Sequence, residues 1–271
     1  MIIYDHPQGS AEWLASRAGV ITASMFASAR KKVNGLSGQQ AAYVEAIRAG
    51  MTEAEAMLKA GYKAKPKSET VERALRGESV GEFSDATKDY AFRLAVERIS
   101  GTPLDEGFST WAMKRGQELE PAGRAEVEVK LGVFVDEAGF VCTDDMKFGA
   151  SADGFIDHDG GLEIKCLVDP SRIRDVILKG DISEFMDQIQ GGMWITGRKW
   201  WQFALYCPAL EKVGLQLWTK RIDRDDNYID ALEMDLIEFE KLVTENETLL
   251  REYHDETDPA EFVPDWERDA A

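Results

Sequence analysis

The sequence predicts an α/β chain: a mixed central β-sheet flanked by helices, with a small helical insertion. Three observations predict it. Apolar residues recur at helical steps up to about residue 131, and from residue 133 onward the dominant period becomes two. The segments of period two are rich in Phe, Val, Ile, Trp and Tyr and are interleaved with helical stretches. With 271 residues, 44% hydrophobic and 30% charged, the chain is long and apolar enough for one large domain or a domain with an insertion.

A helix start is read within residues 10–30, with Ser10 as its N-cap and Glu12 and Trp13 in the first turn. Residues 36–60 follow a helical pattern in which Tyr43, Ile47 and Met51 recur at four-residue steps. Gly50-Met51-Thr52 breaks it, and Thr52 to Glu55 has capping-box spacing for a second helix. Gly61-Tyr62 ends that helix, Lys63–Lys67 form a basic, proline-containing turn, and residues 68–76 start a third. Residues 36–76 thus read as a self-contained three-helix module between Asn34-Gly35 and Gly77–Gly81.

A helix over 84–100 takes Ser84 as N-cap and buries Tyr90, Leu94 and Ile99. The next covers 109–131, broken or bent near Pro121, which suits the first position of a new helical stretch. Strands are expected at 133–142, 147–156, 162–167, 200–206 and 215–222, with a helix at 182–196. The last helix, 226–252, is acidic outside and apolar at Leu232, Leu236, Phe239, Leu242 and Leu249, and 255–271 form a solvated acidic tail.

Several classes are excluded. No apolar run reaches 18 residues, so no membrane helix is expected, and the N-terminus lacks a signal-peptide pattern. Cys142, Cys166 and Cys207 are scattered and odd in number, which speaks against a disulfide framework or zinc site and fits a reducing cytoplasm. No Walker-type glycine loop is present, and none of the three histidines has a Ser or Cys partner motif. The net charge of −18 taken alone opposes nucleic acid, but residues 223–271 hold 18 Asp+Glu and only 4 Lys+Arg, so the acid is concentrated at one end.

The chemistry concentrates in FGASADGFIDHDGGLEIKC, residues 148–166. Asp157–Gly161 has the composition of a tight turn between two strands. In the second strand Leu162, Ile164 and Cys166 face one way, Glu163 and Lys165 the other. Asp153, across the hairpin, reaches the Glu163 face, so two carboxylates and an ammonium converge. Carboxylate oxygens with open positions suit Mg²⁺, which activates water and neutralises phosphate charge. A Glu-x-Lys pair alone is common on hairpin surfaces; the Ser-Ala-Asp-Gly turn preceding it makes the pattern specific.

These residues resemble the Asp…Glu-x-Lys core of the restriction-endonuclease-like, PD-(D/E)xK nucleases. Three further blocks narrow the resemblance to phage lambda exonuclease and its YqaJ-type viral recombinase relatives: WLASR followed by GVITAS at 13–24, RGQELEP at 115–121 and QIQGGMW at 188–194. The resemblance implies a restriction-endonuclease-like core over 1–35 and 77–254. It implies Asp153, Glu163, the Ile164 carbonyl and Glu120 at a Mg²⁺ site, with Mn²⁺ as a substitute. It further implies Lys165 and Gln188 at the attacking water or scissile phosphate, Gln190 in support on the DNA side, and Arg17, Ser24 and Ser151 around a terminal 5′-phosphate.

By the same resemblance the activity is 5′→3′ hydrolysis of linear duplex DNA. The 3′ overhangs would pass to a single-strand annealing protein, and a homo-oligomeric ring, a trimer in the family, would encircle DNA in a bacterial host cytoplasm. Residues 36–76 depart from the family and resemble the helix-turn-helix module of phage terminase small subunits, with Lys59, Lys63, Lys65, Lys67 and Arg73 available to phosphates or the whole serving as a spacer. Trp111 and Met113 lie near the place of the family's strand-splitting wedge but could equally be core. The competing readings are another PD-(D/E)xK DNA endonuclease and a DNA-binding packaging or adaptor protein led by the inserted helices.

Overall fold

The computed structural model describes residues 1–78, 80–104 and 111–256. In chain order it contains β1 (Ile2–Tyr4), α1 (Ala11–Arg17), β2 (Ile21–Thr22), α2 (Phe26–Ala29), β3 (Lys32–Val33), α3 (Gly38–Arg48), α4 (Glu53–Ala60), α5 (Glu69–Leu75), β4 (Glu82–Phe83), α6 (Asp85–Ser100) and α7 (Trp111–Leu131). There follow β5 (Val135–Asp136), β6 (Phe140–Cys142), β7 (Phe148–Ser151), β8 (Gly154–Ile156), β9 (Gly160–Lys165), α8 (Pro170–Lys179), α9 (Met186–Thr196), β10 (Trp200–Tyr206), β11 (Leu217–Asp223) and α10 (Asp226–Glu256).

Two compact units emerge, Arg30–Lys88 and the remainder. Within the larger unit a five-stranded mixed sheet runs β11-β10-β9-β8-β5 and a four-stranded sheet runs β1-β6-β7-β2. β9 and β10 are parallel, because the chain between them crosses over through α8 and α9. One face of the five-stranded sheet buries Leu162, Ile164, Ala204 and Leu217 against Val127 of α7. The other buries Phe203, Leu205 and Trp201 against Val176 of α8 and Ile189 and Met193 of α9. Close approach is obtained with glycine: a Cβ on Gly123 of α7 would lie 3.1 Å from Ile164 Cγ2, and one on Gly191 of α9 would lie 2.5 Å from the Phe26 ring.

The smaller unit is built as its caps dictate. Ser37 and Thr52 each close a capping box at the starts of α3 and α4, and Gly61 ends α4 in the left-handed region at φ 74°. Tyr43, Val44, Ala46, Ala56, Val71 and Ala74 form its own core. The unit is wider than the 36–76 read from sequence, because the antiparallel β3–β4 pair, Lys32 opposite Phe83, lies within it.

Several elements depart from the sequence reading. The expected strands 133–142 and 147–156 each divide between the two sheets, as β5 with β6 and β7 with β8. The second division falls at Ala152-Asp153, where the chain leaves one sheet and enters the other. α7 continues through Pro121 without interruption, and the expected residues 109 and 110 at its start lie outside the described residues. Ile99 is 43% exposed, whereas Tyr90 and Leu94 are buried. α8 has no counterpart in the sequence reading, although Asp169 caps it by accepting from the Ser171 and Arg172 amides and Pro170 occupies its first turn. The helix expected at 182–196 is α9 preceded by a 3₁₀ turn over Ser183–Phe185. α10 extends to Glu256, and the rest of the expected acidic tail lies outside the described residues. Among the described residues no helix is long and apolar enough to cross a membrane.

Candidate active site

β9 sets the alternation on which the site depends. Leu162 and Ile164 enter the core beneath α7, which turns Glu163 and Lys165 to the α9 side of the sheet. Glu163 is only 3% exposed, and its Oε1 receives Lys165 Nζ at 2.6 Å and Gln188 Nε2 at 2.7 Å. Lys165 Nζ also donates to Gln188 Oε1 at 2.9 Å, closing a triangle of ammonium, carboxylate and amide. α9 delivers Gln188 one turn before the Gly191-Gly192 pair that lets this helix lie close to Phe26 and Trp201.

Asp153 sits where the chain passes between sheets. Its amide donates to Leu162 O at 3.0 Å and its Oδ2 accepts from the Ile164 amide at 2.6 Å, so the carboxyl is clamped to β9 beside Glu163. Burial, then the charges of Glu163 and Glu120, hold the Asp153 carboxyl well above the usual carboxylate range, with Lys165 opposing. Burial works against the Lys165 ammonium, but Glu163 and Asp153 outweigh it and raise its pKa, so it is a cation at neutral pH. The Glu120 carboxyl is raised by burial, opposed by Arg124 and reinforced by Glu163 and Glu137.

Glu120 is therefore within electrostatic reach of Asp153 and Glu163. It is bound to Arg124 at 3.0 Å, and Arg124 also reaches Glu137 at 3.0 Å. Among the described residues no three His, Cys, Asp or Glu side chains close into a metal-holding group. What the site offers a cation is two carboxylates and the Ile164 carbonyl, an all-oxygen donor set of the kind Mg²⁺ takes together with waters and phosphate. The Arg124 bridge was not read from the sequence; its i,i+4 spacing from Glu120 was the available signal.

The residues expected around a terminal phosphate are partly assembled. Arg17 Nη1 donates to Ser151 Oγ at 2.9 Å, and its guanidinium lies 4.1 Å from the Trp13 ring and 5.4 Å from the Phe140 ring. Burial lowers the Arg17 pKa to about 10, with Tyr90 and Glu97 partly offsetting it. β2 runs parallel to β7, Thr22 opposite Gly149; Ser24 lies two residues beyond Thr22, in the turn after β2, and Ser151 two residues beyond Gly149, at the end of β7. Ser24 Oγ lies 3.3 Å from Thr22 Oγ1.

Gln190 does not join either group. It is 1% exposed, its Nε2 donates to Asp223 O and its Oε1 accepts from the Asp225 amide, so its polar atoms tie α9 to the chain between β11 and α10. Trp111 and Met113 are 70% and 55% exposed, which removes the core alternative for both. In the smaller unit Lys65 is paired with Glu53 at 2.7 Å and Arg73 with Glu78 at 2.9 Å. Lys59, Lys63 and Lys67 are exposed.

A family model described as a YqaJ-like viral recombinase domain matches residues 12–199. An alkaline exonuclease from Laribacter hongkongensis is similar in structure, with a TM-score of 0.64 at 27% identity over 91% of this chain and 99% of that one. The same enzyme in complex with dAMP gives a TM-score of 0.63 at 27% identity, with the same coverage of both chains. A phage-related exonuclease from Haemophilus somnus 129PT shares the fold at a TM-score of 0.52 and 15% identity, over 82% of this chain and 97% of that one. No curated protein matches the sequence. The fold is of the restriction-endonuclease-like type, mixed sheets flanked by helices.

Proposed function

Because the chain belongs to the YqaJ-like viral recombinase family, we propose that it is a divalent-metal-dependent exonuclease that degrades one strand of linear duplex DNA from its 5′ end. The observation that carries this reading is the joining of Asp153, Glu163, Lys165 and Gln188 on one face of β9. The solved alkaline exonuclease in complex with dAMP supports it, since dAMP is the kind of mononucleotide that such cleavage releases.

Each side chain has a defined task. Lys165 spends two of its three protons on Glu163 and Gln188, and the third is left for the scissile phosphate or the water beside it. Its raised pKa makes it a charge-neutralising donor and not a base. Gln188, held at both ends of its amide, keeps one N–H proton and one oxygen lone pair to orient that water. Asp153, Glu163 and the Ile164 carbonyl would hold Mg²⁺ or Mn²⁺, with Glu120 available once released from Arg124; the ion would supply Lewis-acid stabilisation and an activated water. Arg17 and Ser151 hold the 5′-phosphate of the terminal nucleotide, for which a guanidinium is suited by shape. Water oxygen attacks phosphorus, the bond to the 3′-oxygen breaks, and that oxygen takes a proton. A 5′-mononucleotide leaves, and the shortened strand bears a new 5′-phosphate.

The 3′ overhang so produced would serve a single-strand annealing protein in phage or prophage recombination within a bacterial cytoplasm. A homo-oligomeric ring, a trimer by the family resemblance, would keep the enzyme on DNA. Incubation with linear and closed circular duplex in Mg²⁺ and in EDTA tests the reading. Digestion of linear DNA only, and only with metal, is expected. Nicking of circles would favour an endonuclease, and no digestion would favour a DNA-binding adaptor.

A further inference from the structure

Arg17 is the last residue of α1, and the turn that follows it is held from behind by a charged network. Gly19, at φ 73°, stands two residues beyond Arg17, and the Val20 amide closes the turn by donating to Arg17 O at 3.1 Å. Both polar backbone groups of Gly19 are taken by two consecutive side chains of α6. Its N–H donates to Glu97 Oε2 at 2.9 Å, and its carbonyl accepts from Arg98 Nε at 2.9 Å. The fit leaves no room for a side chain, since a Cβ on Gly19 would lie 2.5 Å from Arg98 Cγ.

Each arm of this clamp is anchored further in. Glu97 is 7% exposed, and its Oε1 accepts from the Leu104 amide at 3.2 Å. Arg98 forks onto Glu240 of α10, Nη1 to Oε1 at 3.0 Å and Nη2 to Oε2 at 2.7 Å. Glu240, itself buried, also receives Lys147 Nζ and Thr244 Oγ1, each at 3.2 Å. The main-chain carbonyl of Lys147 in turn accepts from the Ile21 amide at 2.9 Å, where β2 begins. The network therefore grips the chain at Gly19, two residues after Arg17, and at Ile21, three residues before Ser24.

Buried ion pairs add little net stability once their desolvation is counted. What a guanidinium fork and amide-to-carboxylate bonds do supply is a fixed direction. Here that direction serves Arg17, whose Nη1 meets Ser151 Oγ at 2.9 Å and whose remaining donors need an anion at hydrogen-bond distance. Glu97 supports the charge of Arg17 as well as its place: burial lowers the Arg17 pKa to about 10, and Glu97 is among the groups that oppose the shift.

We propose that Glu97, Arg98 and Glu240 are positioning residues of the 5′-phosphate pocket. By clamping Gly19 they hold Arg17 and Ser24 at a fixed separation, and so set the preference for phosphorylated ends. The assignment rests on the reading of Arg17 as the partner of the terminal phosphate.

The test measures, in Ca²⁺, the affinity of the full chain for blunt duplexes with a 5′-phosphate or a 5′-hydroxyl. Wild type is compared with Arg98→Lys and Glu97→Gln. A single ammonium cannot serve Gly19 O and both Glu240 oxygens, and a glutamine offers one acceptor oxygen to two amides. Each variant is expected to lower the phosphate-over-hydroxyl ratio about three- to tenfold, the range of one misplaced hydrogen bond. On an Arg17→Ala background, Arg98→Lys should change the ratio no further, because the clamp acts through that arginine. A purely structural role would reduce the active fraction equally for both ends and leave the ratio unchanged. Since both ends meet the same protein, any one folded variant decides, with Glu240→Gln as a third. A wild-type ratio in folded variants, or a further loss on the Arg17→Ala background, would overturn the clamp. No preference in wild type would overturn it together with the pocket, whereas linear duplex left intact in Mg²⁺ reports separately on the exonuclease reading.

Discussion

Asp153→Asn should make the protein more stable while destroying its cleavage, and the size of the gain follows from the crowding at β9. The Asp153 carboxyl keeps one hydrogen bond, from the Ile164 amide to Oδ2, and an asparagine oxygen can accept the same bond. What the substitution removes is a buried charge facing Glu163 and Glu120, only partly compensated by Lys165. Two like charges about 5–8 Å apart at an effective dielectric near 20 repel by about 2–3 kcal/mol, and the ammonium returns part of that. A net gain of about 2 kcal/mol corresponds to roughly 4–8 °C in Tm for a domain of this size. The sign with pH is fixed. The folded-state pKa lies above the ordinary 3.8, so the stability that Asp153 contributes is complete below that value and is lost as pH rises through the folded value. The variant's advantage is therefore expected at pH 8 and should vanish near pH 4. Thermal unfolding of both proteins across that range, with and without Mg²⁺, is the assay. Mg²⁺ should raise the wild-type Tm, by an amount equivalent to about 2.7 kcal/mol at a hundredfold excess over Kd, and raise that of the variant less. A variant no more stable than wild type at pH 8, or equally favoured at pH 4, would refute the account of the site as a cluster of charges held at a cost to the fold.

Further outcomes can be checked in parallel. Glu163→Ala and Lys165→Ala are each expected to abolish hydrolysis while DNA binding in Ca²⁺ persists, and a Glu163→Ala enzyme with near-normal turnover would remove the metal-site assignment. Lys165→Ala should also cost stability, on the order of 2 kcal/mol, because it leaves the 3%-exposed Glu163 without its cation; denaturant unfolding measures it. Arg17→Ala should erase any preference for a 5′-phosphate over a 5′-hydroxyl end, and equal rates on both ends in wild type would reject the phosphate pocket. Replacing residues 36–76 by a Gly/Ser linker should leave single-turnover cleavage and flatten the salt dependence of DNA affinity by about 0.9 in log–log slope for each phosphate those helices neutralise; an unchanged slope would mean the helices do not touch duplex DNA.

Legibility in the sequence followed how local each signal is. The capping boxes at Ser37 and Thr52, the glycine end at Gly61 and the alternation of Glu163 with Ile164 depend on neighbours a few residues away. The division of 147–156 between two sheets does not: its alternation is uninterrupted in sequence, and only the pairing partners, β6 for β7 and β9 for β8, separate them. Pro121 misled for a related reason. Proline signals a break through its missing N–H and its ring, yet α7 is held along the sheet by Val127 and Gly123, and this packing keeps it one helix. Gln190 shows the limit of a motif. Its spacing from Gln188 suggests one shared task, but two residues along a helix turn a side chain by about 200°. One glutamine therefore meets Lys165 and Glu163 while the other meets the backbone at Asp223 and Asp225.

The acidity of the chain and chemistry on a polyanion are compatible because the charge is partitioned. Arg30–Lys88 carries 11 Lys+Arg against 8 Asp+Glu, a net of +3, within a chain of net −18. The rest is thus −21, of which residues 223–271 account for −14. Most of that acid belongs to α10, whose 31 residues extend about 46 Å at 1.5 Å per residue. Exposed charge at its far end is screened within about 8–10 Å at moderate salt, so it influences solubility more than the environment of β9. At the site itself the relevant cations are single and sheltered. Lys165 is fixed between Glu163 and Gln188, and Arg17 lies near the Trp13 and Phe140 rings. A sheltered charge acts through a lower dielectric than a surface one, so a few placed cations can govern where phosphate binds while the surface as a whole repels it. Such a distribution would disfavour unspecific adhesion along a duplex and would leave binding to the phosphate positions proposed at Lys165 and Arg17.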